Sequence, residues 1–184
     1  MFFHSWLFIL FAIAVVGLFY CLPKGLPRRL LLLLAGLYFY ACFRPEYLIL
    51  MLAVVFMDYT VARFMEKTIA IKKRRFFLCC SLFFDLGILF LFKYLGFFEE
   101  TWNAIFSSLS GEIYLPSLLL PMGISFYTFQ SLSYVIDVYR KKIPAEKSLL
   151  QYSLYVTFFP QLVAGPIENA KHLLPQVRFE EKSF

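Results

Sequence analysis

The chain has 184 residues, of which 61% are hydrophobic, 21% aromatic and only 16% charged, whereas about a quarter of the residues in a typical soluble domain are charged. This composition excludes an ordinary soluble globular protein and predicts an integral membrane protein whose surface contacts the lipid bilayer. The formal net charge of +6 comes from short basic blocks between apolar runs, as topology signals do, so we expect no nucleic-acid partner.

Six apolar segments follow one another along the chain. The first is long enough to cross a bilayer, which needs about 20 apolar residues, and it lacks a signal-peptide cleavage site. The fourth is followed by an amphipathic stretch, 99–113, whose apolar side chains recur at helical spacing and predict a short helix lying in the interface. The predicted spans are about 5–22, 30–43, 47–64, 76–98, 118–139 and 149–167.

Helix-breaking residues interrupt the last two segments. Pro121 and Gly123 lie at the entry to the fifth, and Pro160 lies inside the sixth. A proline at that depth frees a backbone carbonyl, which other protein groups or water must satisfy. The sequence therefore predicts an all-α polytopic membrane protein, with one membrane domain over 1–184 and about six transmembrane or broken and re-entrant helices.

Charge alternates between successive loops. The loops after the first, third and fifth segments carry net charges of +3, +5 and +3, while those after the second and fourth carry 0 and −3. Because basic loops stay on the cytoplasmic side, we expect the first, third and fifth loops in the cytoplasm and the N-terminus outside.

Four ionisable residues lie within the predicted spans: Asp58, Asp85, Lys93 and Asp137. A charge in a membrane is a functional hypothesis by default, although structural pairing is common. We expect Asp137 to pair along its own helix with Arg140 or Lys141, three and four residues on. Asp85 and Lys93 are expected to find partners on other helices or to reach the interface, and Asp58 is the least informative of the four.

The fifth segment is unusually polar for a simple anchor, reading PMGISFYTFQSLSYVIDVYR over 121–140. Serine and threonine can bond to their own helix carbonyls, which would account for most of these residues. Gln130 is harder to explain in that way. On a helix it shares a face with Gly123, Tyr127 and Tyr134, and this stripe suits either the lining of a path or a helix contact.

Other chemistry is not evident in the sequence. The four cysteines lack metal-type spacing, and the two histidines, His4 and His172, have no carboxylate or cysteine nearby that would make a metal site or a triad. We find no nucleotide-binding loop and no nucleophile motif, and we predict no metal and no bound cofactor.

Two blocks closely resemble signatures of the bacterial, alginate O-acetyltransferase branch of the membrane-bound O-acyltransferase (MBOAT) family. They are LPMGISFYTFQSLSYVIDVYR at 120–140 and FFPQLVAGPI at 158–167. Shorter fragments support them: LYFYACFRPEY at 37–47, LGILFLFKYLGFF at 86–98 and HLLPQVRF at 172–179. The resemblance thus runs essentially from end to end.

This resemblance implies an O-acyltransferase of the bacterial inner membrane. Such an enzyme would move an acetyl group from a cytoplasmic donor, acetyl-CoA, to hydroxyls of an exported cell-surface polysaccharide, with a separate extracytoplasmic acetyltransferase as partner. Family members are more than twice this length, and their invariant histidine, suited to act as general base, belongs to their second half. We therefore expect this chain to be an N-terminal portion, inactive without the remainder of the acyltransferase, with no catalytic residue of its own.

At positions that match the family's blocks, the resemblance implies residues that line a passage or shape the helices, namely Ser125, Tyr127, Gln130, Gln161, Gly165 and Pro166. An alternative from another class is a non-enzymatic membrane partner or transporter-like subunit, which would use the same broken helices as a conduit or docking surface.

Overall fold

The computed structural model describes residues 6–42, 44–110, 121, 123–161 and 168–177. Within these ranges all regular structure is helical, which confirms the all-α prediction. The helices are α1 Trp6–Cys21, α2 Leu26–Ala41, α3 Glu46–Lys67, α4 Ile71–Ser110, α5 Ile124–Tyr139, α6 Leu149–Val156 and α7 Ala170–Gln176.

Two helices in the described part of the chain, α3 and α4, are long and apolar enough to cross a membrane. Helix α1 is equally apolar but has only 16 residues. Large apolar side chains such as Leu10, Phe83 and Phe97 are exposed, as expected of surface that contacts lipid. The membrane character is thus supported, while the total of about six spans and the outside N-terminus stay predictions.

Helix α4 continues through the region where a separate interfacial helix was expected. It runs unbroken for 40 residues, about 60 Å at 1.5 Å per residue, twice the thickness of a hydrocarbon core. The stretch 99–110 contains neither proline nor glycine, so nothing in the backbone ends the helix after Phe98. The helix predicted over 99–113 is therefore part of α4 as far as Ser110, and 111–113 lies outside the described residues.

The loop between α1 and α2 is shorter than predicted because α2 begins at Leu26 rather than at residue 30. Pro27 lies in its first turn, where a missing N–H costs no helical hydrogen bond. Arg28 Nε donates to the Leu22 carbonyl at 3.0 Å, and its guanidinium lies 4.8 Å from the centre of the Phe19 ring. These contacts fold the basic turn against the end of α1.

The last helices are also shorter than the predicted segments. Helix α5 begins only at Ile124, after Gly123 in the left-handed region at φ 73°, which a residue with a side chain adopts at a cost. Helix α6 has eight residues and ends at Val156, because Pro160 has no N–H to donate to the Val156 carbonyl four residues back, and its ring would clash with that carbonyl in a continued helix. The predicted breaks thus fall where the proline and glycine signals placed them, within the described residues.

Helices α3 and α5 lie at the centre of the packing. Helix α5 contacts α3, α4, α6 and α7, while α3 also contacts α2, α4 and α6, and α1 packs on α2. The buried face of α5 combines apolar residues with polar ones. The fold therefore encloses the polar side chains of the fifth segment between four other helices.

One buried arginine joins three helix ends. Arg74, near the start of α4, donates to the carbonyls of Met65 at 2.9 Å, Val138 at 3.1 Å and Tyr139 at 2.7 Å. A cation at the C-terminal ends of α3 and α5 also complements their helix dipoles. The basic loops after α3 and α5 therefore lie at the same end of the bundle, as the charge pattern requires.

Gly36 marks a close approach of α2 to the end of α6. A Cβ atom there would lie 2.3 Å from the carbonyl oxygen of Thr157. We expect Gly36→Ala to force the helices apart and lower the free energy of unfolding by about 1–3 kcal/mol, measured as a lower Tm in detergent. Gly87→Ala is the control, since nothing lies within 4 Å of its Cβ position. Equal losses in both variants would contradict the close contact.

Candidate functional site

The polar stripe predicted on α5 is buried. Tyr127 and Tyr134 are fully buried and Gln130 nearly so, whereas Ser125 is half-buried. Gln161 is half-buried in the turn after α6, and Gly165 and Pro166 lie outside the described residues. The structure thus brings together three residues of the stripe.

Gln130 ties α5 to α6 through a reciprocal pair of hydrogen bonds. Its Nε2 donates to the Tyr155 carbonyl at 2.9 Å, and the Tyr155 hydroxyl donates to the Gln130 carbonyl at 3.2 Å. The same hydroxyl lies 3.3 Å from the Glu168 carbonyl, and Gln151 Nε2 donates to the Leu174 carbonyl at 3.1 Å. Of the two roles suggested for the stripe, Gln130 makes a contact between helices. The lining of a path by these residues stays a prediction.

Aromatic rings fill the space between α5 and α6. The ring centres of Tyr134 and Tyr152 are 4.6 Å apart, and those of Tyr152 and Tyr155 are 6.1 Å apart. The Tyr134 hydroxyl accepts a hydrogen bond of 2.8 Å from the Glu146 amide, which fixes the loop after α5 against this cluster. A buried tyrosine contributes apolar area while its hydroxyl finds a partner.

Asp58 of α3 is the centre of a buried polar network. Ser81 of α4 donates to its Oδ1 at 2.6 Å, and Ser131 of α5 donates to its Oδ2. The Ser131 hydroxyl also lies 2.5 Å from the hydroxyl of Tyr152 on α6. Four helices thus meet at one fully buried carboxyl group. A buried network in which every polar group is hydrogen-bonded favours one arrangement of the helices, whereas a buried polar group without a partner lowers the stability of the fold.

Sequence reasoning undervalued Asp58, which it placed last among the four intramembrane charges. A signal for its burial was present, because Asp58 continues the series Met51, Val55, Ala62 and Met65, and all five are buried. Spacings of three and four residues put this series on one helix face. The partners on α4 and α5 could not be read from spacing.

The other three intramembrane charges differ in their burial and in their partners. Asp85 is fully buried, and among the described residues no N–H or hydroxyl group donates to its oxygens, while the Asp58 carboxyl group is a close neighbour. Lys93 is exposed, with its Nζ 5.6 Å from the centre of the Tyr94 ring. The expected pairing of Asp137 with Arg140 or Lys141 is wrong.

Asp137 instead pairs with Lys142, whose Nζ lies 3.4 Å from Oδ1. Helix α5 ends at Tyr139, so the residues three and four positions on do not continue its surface. Lys141 takes a positive φ of 59°, and the chain turns back so that the Lys142 amide donates to the Asp137 carbonyl at 2.9 Å. The helix end therefore decides the partner.

A cleft of about 710 Å³ opens at the end of the bundle that carries the loop after α5. Its walls come from the loop after α5 and from α7, and they include Lys142, Lys147 and Lys171. Two carboxylates also line it, but Glu66 accepts from the Ala145 amide and Glu146 from the Lys147 and Ser148 amides. The cleft thus presents exposed lysines beside carboxylates held by backbone amides.

Known proteins similar to this chain include the probable alginate O-acetylase AlgI of Pseudomonas aeruginosa, which is 38% identical over 169 residues. The corresponding protein of Pseudomonas putida is 39% identical over the same length. A peptidoglycan O-acetyltransferase of Helicobacter pylori is 31% identical over 179 residues. These alignments include 91%, 91% and 84% of this chain.

The chain spans about a third of the length of these relatives, 32%, 35% and 33% respectively. No protein-family model matches it, and no solved structure does. The resemblance carried by the blocks at 120–140 and 158–167 is nevertheless confirmed. This chain is a relative of the alginate O-acetylases, in keeping with the MBOAT-like family, and corresponds in extent to about a third of such a protein.

Proposed function

We propose that this chain is part of a membrane O-acetyltransferase that passes an acetyl group from a cytoplasmic donor to hydroxyls of an exported cell-surface polysaccharide. One observation carries the proposal: nine-tenths of the chain aligns at 38% identity with a protein named as an alginate O-acetylase. The likeness to a peptidoglycan O-acetyltransferase adds a second acceptor that is also a polymer outside the cytoplasm.

The donor we propose is acetyl-CoA, arriving at the basic end of the bundle. Three lysines, Lys142, Lys147 and Lys171, outnumber the carboxylates Glu66 and Glu146 in the lining of the cleft at that end, and a net positive charge attracts a ligand that carries phosphates. Acetyl-CoA serves here as a substrate and not as a resident cofactor. The acceptor polysaccharide would approach from the opposite side of the membrane, with a separate extracytoplasmic acetyltransferase as a further partner.

The described residues would contribute framework to this enzyme. Tyr127 and Gln130 are held between helices, and we propose that with Ser125, Gln161, Gly165 and Pro166 they shape or line the passage of the acyl group. The general base, a histidine by the family resemblance, would come from the remainder of the acyltransferase. A passage poor in water would also limit hydrolysis of the acetyl donor.

The proposed location is the bacterial inner membrane, crossed several times with the basic loops inside. A reporter fused after Lys73 should be cytoplasmic, and one fused after Glu100 should be external, because positive loops stay inside. Alkaline phosphatase and green fluorescent protein fusions at both positions measure this. The reverse pattern of the two reporters would contradict the orientation.

A chimera tests the activity. In an alginate-producing Pseudomonas aeruginosa strain, this chain replaces the region of the resident O-acetylase to which it aligns, and the acetyl esters on secreted alginate are measured. We expect acetylation to return above the level of the deletion strain. A chimera that inserts at normal abundance without acetylating alginate or other envelope polymers would overturn the proposal and favour a non-enzymatic membrane subunit.

A pair of neighbouring substitutions sharpens the test. Gln130→Leu removes the tie between α5 and α6 and leaves the Tyr155 carbonyl unbonded, so acetylation should fall severalfold. Phe129→Leu alters an exposed side chain next to it and should leave acetylation unchanged. Immunoblots of membranes keep abundance comparable between the two.

A further inference from the structure

Asp85 is a buried carboxyl group whose neighbour is a second carboxyl group. It has no exposed surface, and neither of its oxygens accepts a hydrogen bond from an N–H or hydroxyl group within the described ranges. It lies within hydrogen-bonding reach of the Asp58 carboxyl group. It follows Ser81 by one turn on the same face of α4, and Ser81 binds Asp58. Asp85 therefore lies one turn along from the Asp58 network, and the two carboxyl groups interact electrostatically.

The helix register places a phenol at the level of Asp85. Arg74 of α4 binds the Val138 carbonyl of α5. Ser81 lies seven residues after Arg74, Ser131 lies seven residues before Val138, and both serines bind Asp58. Helices α4 and α5 are therefore antiparallel here, and one further turn brings Asp85 level with residue 127 of α5. Asp85 is indeed an electrostatic neighbour of the Tyr127 hydroxyl.

Further buried oxygens lie at this level. The hydroxyls of Tyr127, Tyr40 and Thr128 are buried and make no hydrogen bond of ordinary geometry in the part of the chain that the structure describes, although those of Tyr127 and Tyr40 lie close enough to interact. The ring of Tyr40 on α2 lies 6.2 Å from that of Tyr127, edge to face. Oxygen-bearing side chains of three helices thus follow one another from Asp85 through Tyr127 to Tyr40.

A buried carboxylate without a compensating charge is expensive in a membrane. Among the described residues no basic side chain forms an ion pair with Asp58 or Asp85. Arg74, on the same helix, donates to three carbonyls at the bundle end, and Lys93 is exposed. The donor set is made entirely of carboxyl and hydroxyl oxygens, which suits a hard cation.

We propose that Asp85 and Asp58 hold one positive charge between them, carried by a sodium ion or by a shared proton. The Tyr127 hydroxyl completes the site, and Tyr40 lies behind it. The groups that face Asp85 are Asp58 from α3, Tyr127 from α5 and Tyr40 from α2, with Tyr152 of α6 reached through Ser131. The site shares Tyr127 with the acyl passage proposed above, but its test does not depend on acetyl transfer, and its occupancy would hold α3, α4 and α5 together.

The test measures the thermal stability of the intact protein in detergent, with sodium chloride or with choline chloride at equal ionic strength. If sodium is bound, the Tm should be about 5 °C higher in saturating sodium. If a proton is bound, the Tm in choline chloride should fall as pH rises, because the folded state then holds the extra proton. Asp85→Asn removes the charge with little change of shape, and the corresponding response should disappear.

Two further variants complete the test. Asp137→Asn removes a carboxyl group paired with Lys142 near the end of α5 and should respond as the unaltered protein does. Tyr127→Phe serves if Asp85→Asn does not accumulate. By removing one ligand it should lower the affinity for sodium, or for the shared proton, about tenfold, which gives a smaller change in Tm. The proposal is overturned if the unaltered protein shows neither response, or if the Asp85→Asn and Tyr127→Phe variants both keep it in full.

Discussion

Replacing Arg74 with glutamine is expected to lower the free energy of unfolding by about 4 kcal/mol. Hydrogen bonds from a charged donor contribute about 1.5–3 kcal/mol each, and Arg74 makes three of them to the carbonyls of Met65, Val138 and Tyr139. Glutamine is shorter and has one donor group, so buried helix ends would lose their partners. The Tm of the purified protein in detergent measures this loss.

The adjacent arginine is a matched control. Arg75 is exposed, so Arg75→Gln removes the same charge from the same end of α4 and should change stability by less than about 0.5 kcal/mol. Arg74→Lys should fall between the two, because an ammonium group cannot reproduce the planar fork of a guanidinium. If Arg74→Gln and Arg75→Gln are equally mild, the three carbonyl bonds do not hold the helix ends.

Features that depend on local sequence could be predicted. The apolar runs gave the helices, because a chain in lipid must satisfy its backbone groups internally. Gly123 and Pro160 marked where α5 begins and where α6 can no longer continue. The absence of proline and glycine from 99–110 is also a local signal, and it indicates that α4 continues. It is stronger than the amphipathic spacing that suggested a separate helix.

Features that depend on two helices could not be predicted from either one. Ser81 and Ser131 are ordinary hydroxyls in sequence, since each could bond to its own helix, and only packing turns both toward Asp58. The partner of Asp137 depends on where α5 ends. Gly36 likewise has a neighbour, Thr157, that is distant along the chain. A side chain's partner across an interface is decided by helix rotation, which a single sequence does not fix.

Replacing Asp58 with alanine should be among the most destabilising single changes in the described part of the chain. The carboxyl group is fully buried and accepts from Ser81 and Ser131, so its removal leaves a cavity and two hydroxyls without their acceptor. Leaving a buried hydroxyl without its acceptor costs about 1–3 kcal/mol for each of the two. We expect a large drop in Tm and in the yield of monodisperse protein from membranes.

Asp58→Asn separates the hydrogen bonds from the charge. A hydroxyl can donate or accept, so Ser81 can still donate to the amide oxygen while Ser131 accepts from the amide nitrogen and donates to Tyr152. Measured in choline chloride, where sodium makes no contribution, the loss should then be only about 1 kcal/mol. Ser133→Ala is the control, because this hydroxyl bonds to the Gln130 carbonyl of its own helix and should matter little. If alanine and asparagine at position 58 are equally harmful, charge rather than hydrogen bonding holds the four helices together.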